Sequence, residues 1–466
     1  MKKLALILCV AAIALFSAAP AFAVSSDMVD FEGSYRVRAF MNTHTLLLEE
    51  TDGAPDATNS FYDSRFRLQT RFRPTDFLSA TLRFDALESL WGGLPASGTA
   101  VGDARNTLIG VPATPNLSNN VEFEHAYLTA TTSVGKFDLG RMSALAWGTS
   151  FADNETELDR IKYTIKYGNL IGIAIIQKDA ELDGVDFRYT DGDQDTYYLA
   201  GIYKMENLTA GLLGAFTNGK AASDNPQAAT NAPIAGPFDR QTYALLPFVQ
   251  GTTGPVRYQG ELVYQFGEAR EFDRDLYAVP AVVQDVDQDN LAYNLEVGYD
   301  VNPFSFEAGY AYMSGDGLNA AGADSDPTKN ENAGGAGKDW GKLWILTSTD
   351  QYLQNTLGGM GNLGNPNSAV SRQGAKILYL GAGVTPMEDV SLKLLFGTSD
   401  AEDPDANVSQ DHGEEYDLFV NYQIYDNLGF QFIAAYLDAG DFWQQGNNTV
   451  KIENATAVFS KLELKF

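Results

Sequence analysis

The sequence predicts an all-β fold: a transmembrane antiparallel β-barrel of about eighteen strands, with short periplasmic turns and long extracellular loops. Three observations predict it. An export signal opens the chain and no later stretch is long and apolar enough for a membrane helix. Strand-length segments are joined by connections that alternate between short and long. Charged residues fall on one face of those segments and apolar residues on the other.

Met1-Lys2-Lys3, an apolar run from Leu4 to Phe16 and then Ala21-Phe22-Ala23 follow the order of a secretory signal, with cleavage expected after Ala23. The apolar run is shorter than the ~20 residues that a spanning helix needs. The single cysteine, Cys9, lies inside this signal, so residues 24–466 carry no thiol for disulfides, zinc thiolates, iron–sulfur clusters or covalent haem. No Pro/Ser-rich linker or shift in composition divides residues 24–466, and one barrel domain is the simplest account. Tyr and Phe far outnumber Trp and glycines sit at turns, as aromatic-ended strands between tight turns require. A net charge of -29 argues against nucleic acid as a partner.

Eighteen segments carry period-two alternation between turn residues: 29–47, 60–73, 77–90, 120–132, 134–147, 158–167, 170–179, 194–204, 206–217, 240–251, 255–267, 290–301, 303–314, 374–385, 389–399, 414–424, 428–437 and 455–466. Short connections such as Pro74-Thr75-Asp76, Gly168-Asn169, Thr253-Gly254 and Asp426-Asn427 alternate with long ones, the longest being 315–373. A soluble sandwich has no reason to sort its loops by length. An outer-membrane barrel does, having an even strand number and both termini on the inside.

The alternation puts polarity inside and apolar residues outside. Arg65, Arg67, Gln69, Arg71 and Arg73 alternate with Phe66, Leu68, Thr70 and Phe72; Arg160, Lys162, Thr164 and Lys166 alternate with Ile161, Tyr163, Ile165 and Tyr167. Four charges on one face are costly in a dry core and easily hydrated in a lumen. Segments 170–176 and 206–215 alternate weakly, and Arg141 is ambiguous in phase with Phe137 and Leu139.

The chain ends in Val458, Ser460, Leu462, Leu464 and Phe466, an apolar face finishing on a terminal aromatic. This resembles the signal by which bacterial outer-membrane barrels are recognised for assembly, which implies the barrel-assembly machinery, outer-membrane lipid and lipopolysaccharide as partners. Gly413-Glu414-Glu415-Tyr416-Asp417-Leu418, Asn427-Leu428-Gly429-Phe430 and Ala439-Gly440-Asp441-Phe442-Trp443 resemble the closing hairpins of the alginate-export family of eighteen-stranded porins, and Gly140-Arg141 with Trp147-Gly148 is similar to a pattern in its first third. That resemblance implies diffusion of an anionic polysaccharide through an arginine-lined lumen. Every inside turn here is short, however, so none would plug the pore as in the alginate exporter.

Inward positions assigned by alternation place Arg36, Arg38, Arg65, Arg67, Arg71, Arg73 and Arg83 on three consecutive strands, ~4.8 Å apart, as one basic wall. Glu261, Glu296 and Glu307, with Glu415 and Asp417, form an acidic wall across the ring. Two such walls would set a transverse field that orients small polar or anionic solutes, within a screening length of ~8 Å. Alternatively, the arginines pair with Asp63, Asp85, Glu122 and Glu124 and only hold the barrel's shape.

In the longest loop, Trp340, Lys342, Trp344 and Tyr352 stand amid glycines. Apolar residues on an outside loop need cover, so 338–360 either folds into the barrel mouth as a constriction or packs on other loops as a lid. No resident cofactor or metal is expected. Asp285, Asp287, Asp289, Asn290 and Glu296 match a calcium-loop spacing but lead into a strand, and loose Ca2+ on acidic loops (Asp191, Asp193, Asp195; Asp400, Glu402, Asp403) is the remaining option. His44, His125 and His412 are the only histidines, with no serine or aspartate tied to them by motif, so no enzyme is expected. The reading is a passive outer-membrane channel for small hydrophilic, anionic solutes. A dedicated acidic-polysaccharide exporter or importer, and a structural or adhesin barrel with a closed lumen, are the alternatives.

Overall fold

A computed structural model describes residues 28–44, 47, 58–91, 121–153, 156–181, 193–219, 238–272, 284–320, 322, 324, 326–333, 339–350 and 371–466. The expected signal at 1–23 and Tyr352 lie outside them. Each of the eighteen segments is a strand: β1 (Val29–Thr43), β2 (Asn59–Thr75), β3 (Leu78–Leu90), β4 (Val121–Thr132), β5 (Gly135–Ala144), β6 (Thr156–Tyr167), β7 (Leu170–Ala180), β8 (Gln194–Lys204), β9 (Leu208–Gly219), β10 (Phe238–Thr253), β11 (Val256–Phe272), β12 (Val286–Val301), β13 (Phe304–Met313), β15 (Ala375–Met387), β16 (Val390–Asp400), β17 (Asp411–Tyr425), β18 (Leu428–Ala439) and β19 (Ala455–Lys465). A two-residue strand, β14 (Lys329–Asn330), pairs parallel with the first residues of β12 and is not one of the eighteen.

Each long strand pairs antiparallel with its neighbours in sequence, and β19 pairs with β1 (Phe459 opposite Phe40), so the barrel is closed. Closure leaves no edge strand with unpaired backbone groups, the condition for crossing lipid with strands. Short and long connections alternate along the whole ring. Two of the tight turns, Gly168-Asn169 and Gly254-Pro255, turn on glycines at φ 57 and 58, which other residues rarely adopt.

The outward face is apolar. Phe31, Phe123, Leu199, Leu295 and Leu394 are each more than half exposed, and Tyr167, Tyr203, Tyr299, Tyr422 and Tyr425 ring the short-turn end. Aromatic side chains at that level suit a membrane–water boundary. Arg141 shares the outward face with Phe137 and Leu139, through their register with Ala126, Ala130 and Leu128, which resolves its phase.

Three sequence expectations change. β1 ends at Thr43, because His44 and Leu47 take left-handed φ and turn Leu47 into a buried cluster. β12 begins at Val286, so Asp287, Asp289 and Glu296 lie on extended backbone and the calcium-loop spacing has no loop to act in. The weak alternation of 170–176 and 206–215 reflects strands that are apolar on both faces: Ile173, Ile175, Leu213 and Ala215 point inward.

The principal buried cluster sits inside the ring. Inward Ala292, Ala311, Met313, Ile377, Tyr379, Leu395 and Leu437 pack against Trp340, Leu343, Ile345 and Leu346 of the long connection. The inner face on that side is therefore partly a core, with charged side chains set among the apolar ones.

Candidate functional site: the barrel lumen

The inward row of β1–β4 is a lattice of ion pairs set by register, since Arg36 lies opposite Arg65, Arg38 opposite Asp63, and Arg67 opposite Asp85. Arg67 donates from Nε and Nη2 to Asp85 at 2.7 Å each, and Nη2 also reaches Glu124 at 2.7 Å. Arg65 stands 3.4 Å from Asp85, Arg83 bridges Glu124 (2.7 Å) and Glu157 (3.0 Å), and Arg36 meets Glu88 at 3.2 Å. Arg73 pairs with Asp30, and Arg71 and Arg73 line a recess at the short-turn end with Lys136. The structure thus brings the seven arginines together on one wall and gives most of them carboxylate partners.

At the centre of this wall Asp85 lies deepest. The Asp85 side chain is 2% exposed beneath Arg65 (17%) and Arg67 (27%), so a solute passing there meets guanidinium first. Bidentate Arg–carboxylate geometry fixes the planar groups without consuming all five N–H donors.

The predicted acidic wall is corrected. Its carboxylates do not face water; they hold inward-folded backbone or lie under cations. Glu415 accepts from the Ile345 and Leu346 N–H at 2.6 and 2.7 Å, and Asp417 from the Trp344 N–H at 3.0 Å. Glu261 accepts from the Thr149 and Ala152 N–H at 2.9 and 3.3 Å. Glu296 and Glu307 sit beneath Arg257, at 3.3 and 3.5 Å, and Lys393 reaches Glu307 at 3.0 Å; Lys342 also contacts Glu296. Arg257 and Lys393 are about a third exposed while both glutamates are nearly buried. The side across from the arginines therefore presents cations too, and the expected transverse field is absent from this arrangement.

Segment 339–350 lies within the ring. Trp340 packs edge-on against Phe151 (5.6 Å) and Tyr379 (5.7 Å), and Trp344 against Phe459 of β19 (4.8 Å). At its far end Asp350 accepts from Arg38 Nη1 at 2.6 Å, and Arg38 also binds Asp63. The segment thus runs from the β12–β17 side to the arginine wall. An inward glycine makes room for it, since a Cβ at Gly397 would lie 2.6 Å from Leu343, and Gly309 makes room for Tyr379 of β15, where a Cβ would lie 2.1 Å away. Arg38 is buried between two carboxylates. Arg38→Met leaves Asp63 and Asp350 facing each other uncompensated and is expected to cost about 3–5 kcal/mol, read as a lower temperature for loss of the folded-barrel mobility on an SDS gel. An unchanged transition would show that the pair is not holding the segment.

The acidic loop residues act on backbone. Glu402 and Asp403 accept from the Gly315 and Gly317 N–H at 3.2 and 2.8 Å, while Asp193 and Asp195 pair with Lys178. Asp191 lies outside the described residues. His412 is fully buried, with Nδ1 3.0 Å from Ser399 Oγ and its ring against Phe442. His44 Nδ1 contacts the Asn454 carbonyl oxygen.

A profile of the Gram-negative porin family matches residues 9–343. The match spans most of the chain, and the chain belongs to the Gram-negative porin family. It is an outer-membrane channel protein. Among solved structures it is similar to OccK8 (OprE) and OccK9 (OpdG) of Pseudomonas aeruginosa, both 13% identical over 94% of this chain, covering 98% and 99% of theirs, with TM-scores 0.48 and 0.49. OmpT of Vibrio cholerae is similar at 12% identity over 95% of this chain and 99% of its own, with TM-score 0.40. No curated protein matches the chain. The narrower likeness to alginate-export barrels finds no specific counterpart among these matches.

Proposed function

We propose that the chain is a passive channel for small hydrophilic solutes with a preference for anions, and that it carries no catalytic step. The observation that supports this is the stacking of charge at two places in the lumen: Arg65 and Arg67 cover Asp85, and Arg257 and Lys393 cover Glu296 and Glu307, whereas Glu88, Glu157 and Asp300 stay more exposed than the arginines they meet. A permeating ion interacts with the nearest charge most strongly, and the carboxylate behind it contributes less at greater distance. In this reading the short turns face the periplasm and segment 339–350, with Trp340, Lys342 and Trp344, is the constriction. Leu462, Leu464 and Phe466 serve as the assembly signal; Phe466 pairs with Gly33 and stacks on Phe66, where the last strand meets the first. A dedicated polysaccharide path is disfavoured by the filling of the ring by 339–350.

Liposome swelling tests the reading. Vesicles containing the protein should swell faster in a small sugar acid than in the neutral sugar of the same size, and slowest in the amino sugar. Equal rates for all three would remove the anion preference, and no swelling would remove the channel.

A further inference from the structure

We propose that the inner face of β6–β11 is a subsite for an amphiphilic carboxylate, one anionic head on a short apolar body, separate from the arginine lattice of β1–β4. It rests on the reading of the barrel as a channel and names a solute class for it.

Two adjacent inward rows in that wall are apolar. By register, Ile175, Tyr198, Ala215 and Ala244 form one row, and Ile173, Ala200, Leu213 and Leu246 the next. They line a cavity of about 650 Å³ that Trp147 closes on one side, its indole N–H bonded to the Leu246 carbonyl at 2.8 Å. Ile173, Tyr198, Ala215 and Leu246 remain only partly covered. A porin lumen is ordinarily polar, and a contiguous apolar stripe within one needs an apolar occupant.

Three cations border the same cavity: Arg160, Lys162 and Arg240. They differ from the arginines of β1–β4, because among the described residues none of the three has a carboxylate in ion-pair contact. Asp138, opposite Lys162, is taken by Lys136 at 2.8 Å. Among the described residues Arg240 donates to the Ala269 carbonyl, at 3.4 Å. Arg160 is 8% exposed; it donates to Gln177 Oε1 at 2.7 Å and to the Ser143 carbonyl at 3.2 Å, lies over the Tyr198 ring, and leaves Nε without a partner among the described residues. Gln177 in turn donates to Asp179 at 2.6 Å, so the carboxylate that balances Arg160 is held one side chain away, and a buried cation without a directly bonded carboxylate stands beside an apolar stripe. A carboxylate on Arg160 and Lys162 would supply that bond while its carbon chain covers Ile173, Leu213 and Leu246. A sugar acid would satisfy the cations but leave the stripe wet.

The test uses the full-length protein in a planar bilayer, with hexanoate as probe, acetate as the charge-only control and hexanol as the apolar-only control. Hexanoate should interrupt the current at concentrations at least about tenfold below either control, since it alone buries both parts. Arg160→Gln with Lys162→Gln should weaken that block by at least about tenfold. Leu213→Asn should bring hexanoate to the level of acetate. Equal potency of hexanoate and acetate, or of hexanoate and hexanol, overturns the subsite while the current itself upholds the channel. If no current is seen the channel reading fails, and tryptophan fluorescence of the detergent-solubilised protein decides the subsite separately. A hexanoate-dependent change that is absent with acetate and lost in the Arg160/Lys162 double variant supports it; no such difference overturns it.

Discussion

Replacing Arg67 and Arg83 together by glutamine should move the channel's selectivity toward cations far enough to change the sign of the reversal potential in a low-salt gradient. Two effects act in the same direction. Two positive groups of the wall are lost, Asp85 loses its bidentate partner, and Glu124 loses both of its arginines. A unit charge a few ångströms from an ion contributes roughly 1 kcal/mol even in bulk water, so removing two and uncovering two is worth several-fold in relative permeability. Arg65 stays 3.4 Å from Asp85, so the lattice keeps one cation at its centre and the barrel remains assembled. The shift should shrink on going from 0.1 M to 1 M salt, as the screening length falls from ~10 Å to ~3 Å. A reversal potential unchanged at low salt would mean that ions do not pass this wall.

The second large effect concerns segment 339–350. Glu415→Ala with Asp417→Ala removes the acceptors for three backbone N–H groups, those of Trp344, Ile345 and Leu346. Leaving three buried donors unmet costs up to about 3–9 kcal/mol, enough to release the segment from the wall despite the packing of Trp340 and Leu343. Single-channel conductance should rise, with more open-channel noise as the freed segment moves in the lumen. Conductance equal to that of the parent would show that the segment does not set the width of the path.

The strands were legible because each obeys a local rule. Two-residue turns containing Gly168, Gly254 or Asn427 fix the ends, and apolar alternation marks the outward face, whatever fills the ring. The arginine positions followed from the same alternation. What those side chains meet did not, because a lumenal carboxylate has the same sequence pattern whether it faces water or a backbone N–H. Glu415 and Asp417 read as an acidic wall; their partners arrive from Trp344–Leu346, some seventy residues earlier in the chain. Arg257 and Lys393 were passed over for the same reason, as each acts by covering Glu296 or Glu307 from another strand. Two further signals lie in the sequence. Inward glycines mark where the ring is filled, Gly397 facing Leu343 of the inserted segment and Gly309 facing Tyr379 of β15. The weak alternation of 170–176 and 206–215 marked an apolar inner face, and Arg160 and Lys162 stood on the neighbouring strand.

The reversal potential of the unmodified protein across a potassium chloride gradient in a planar bilayer tests the account most directly. Arg65 and Arg67 over Asp85, with Arg257 and Lys393 over Glu296 and Glu307, predict an open channel whose potential has the sign of chloride preference, strongest at low salt. A potential of the opposite sign, or a membrane that stays insulating with folded protein inserted, would contradict it.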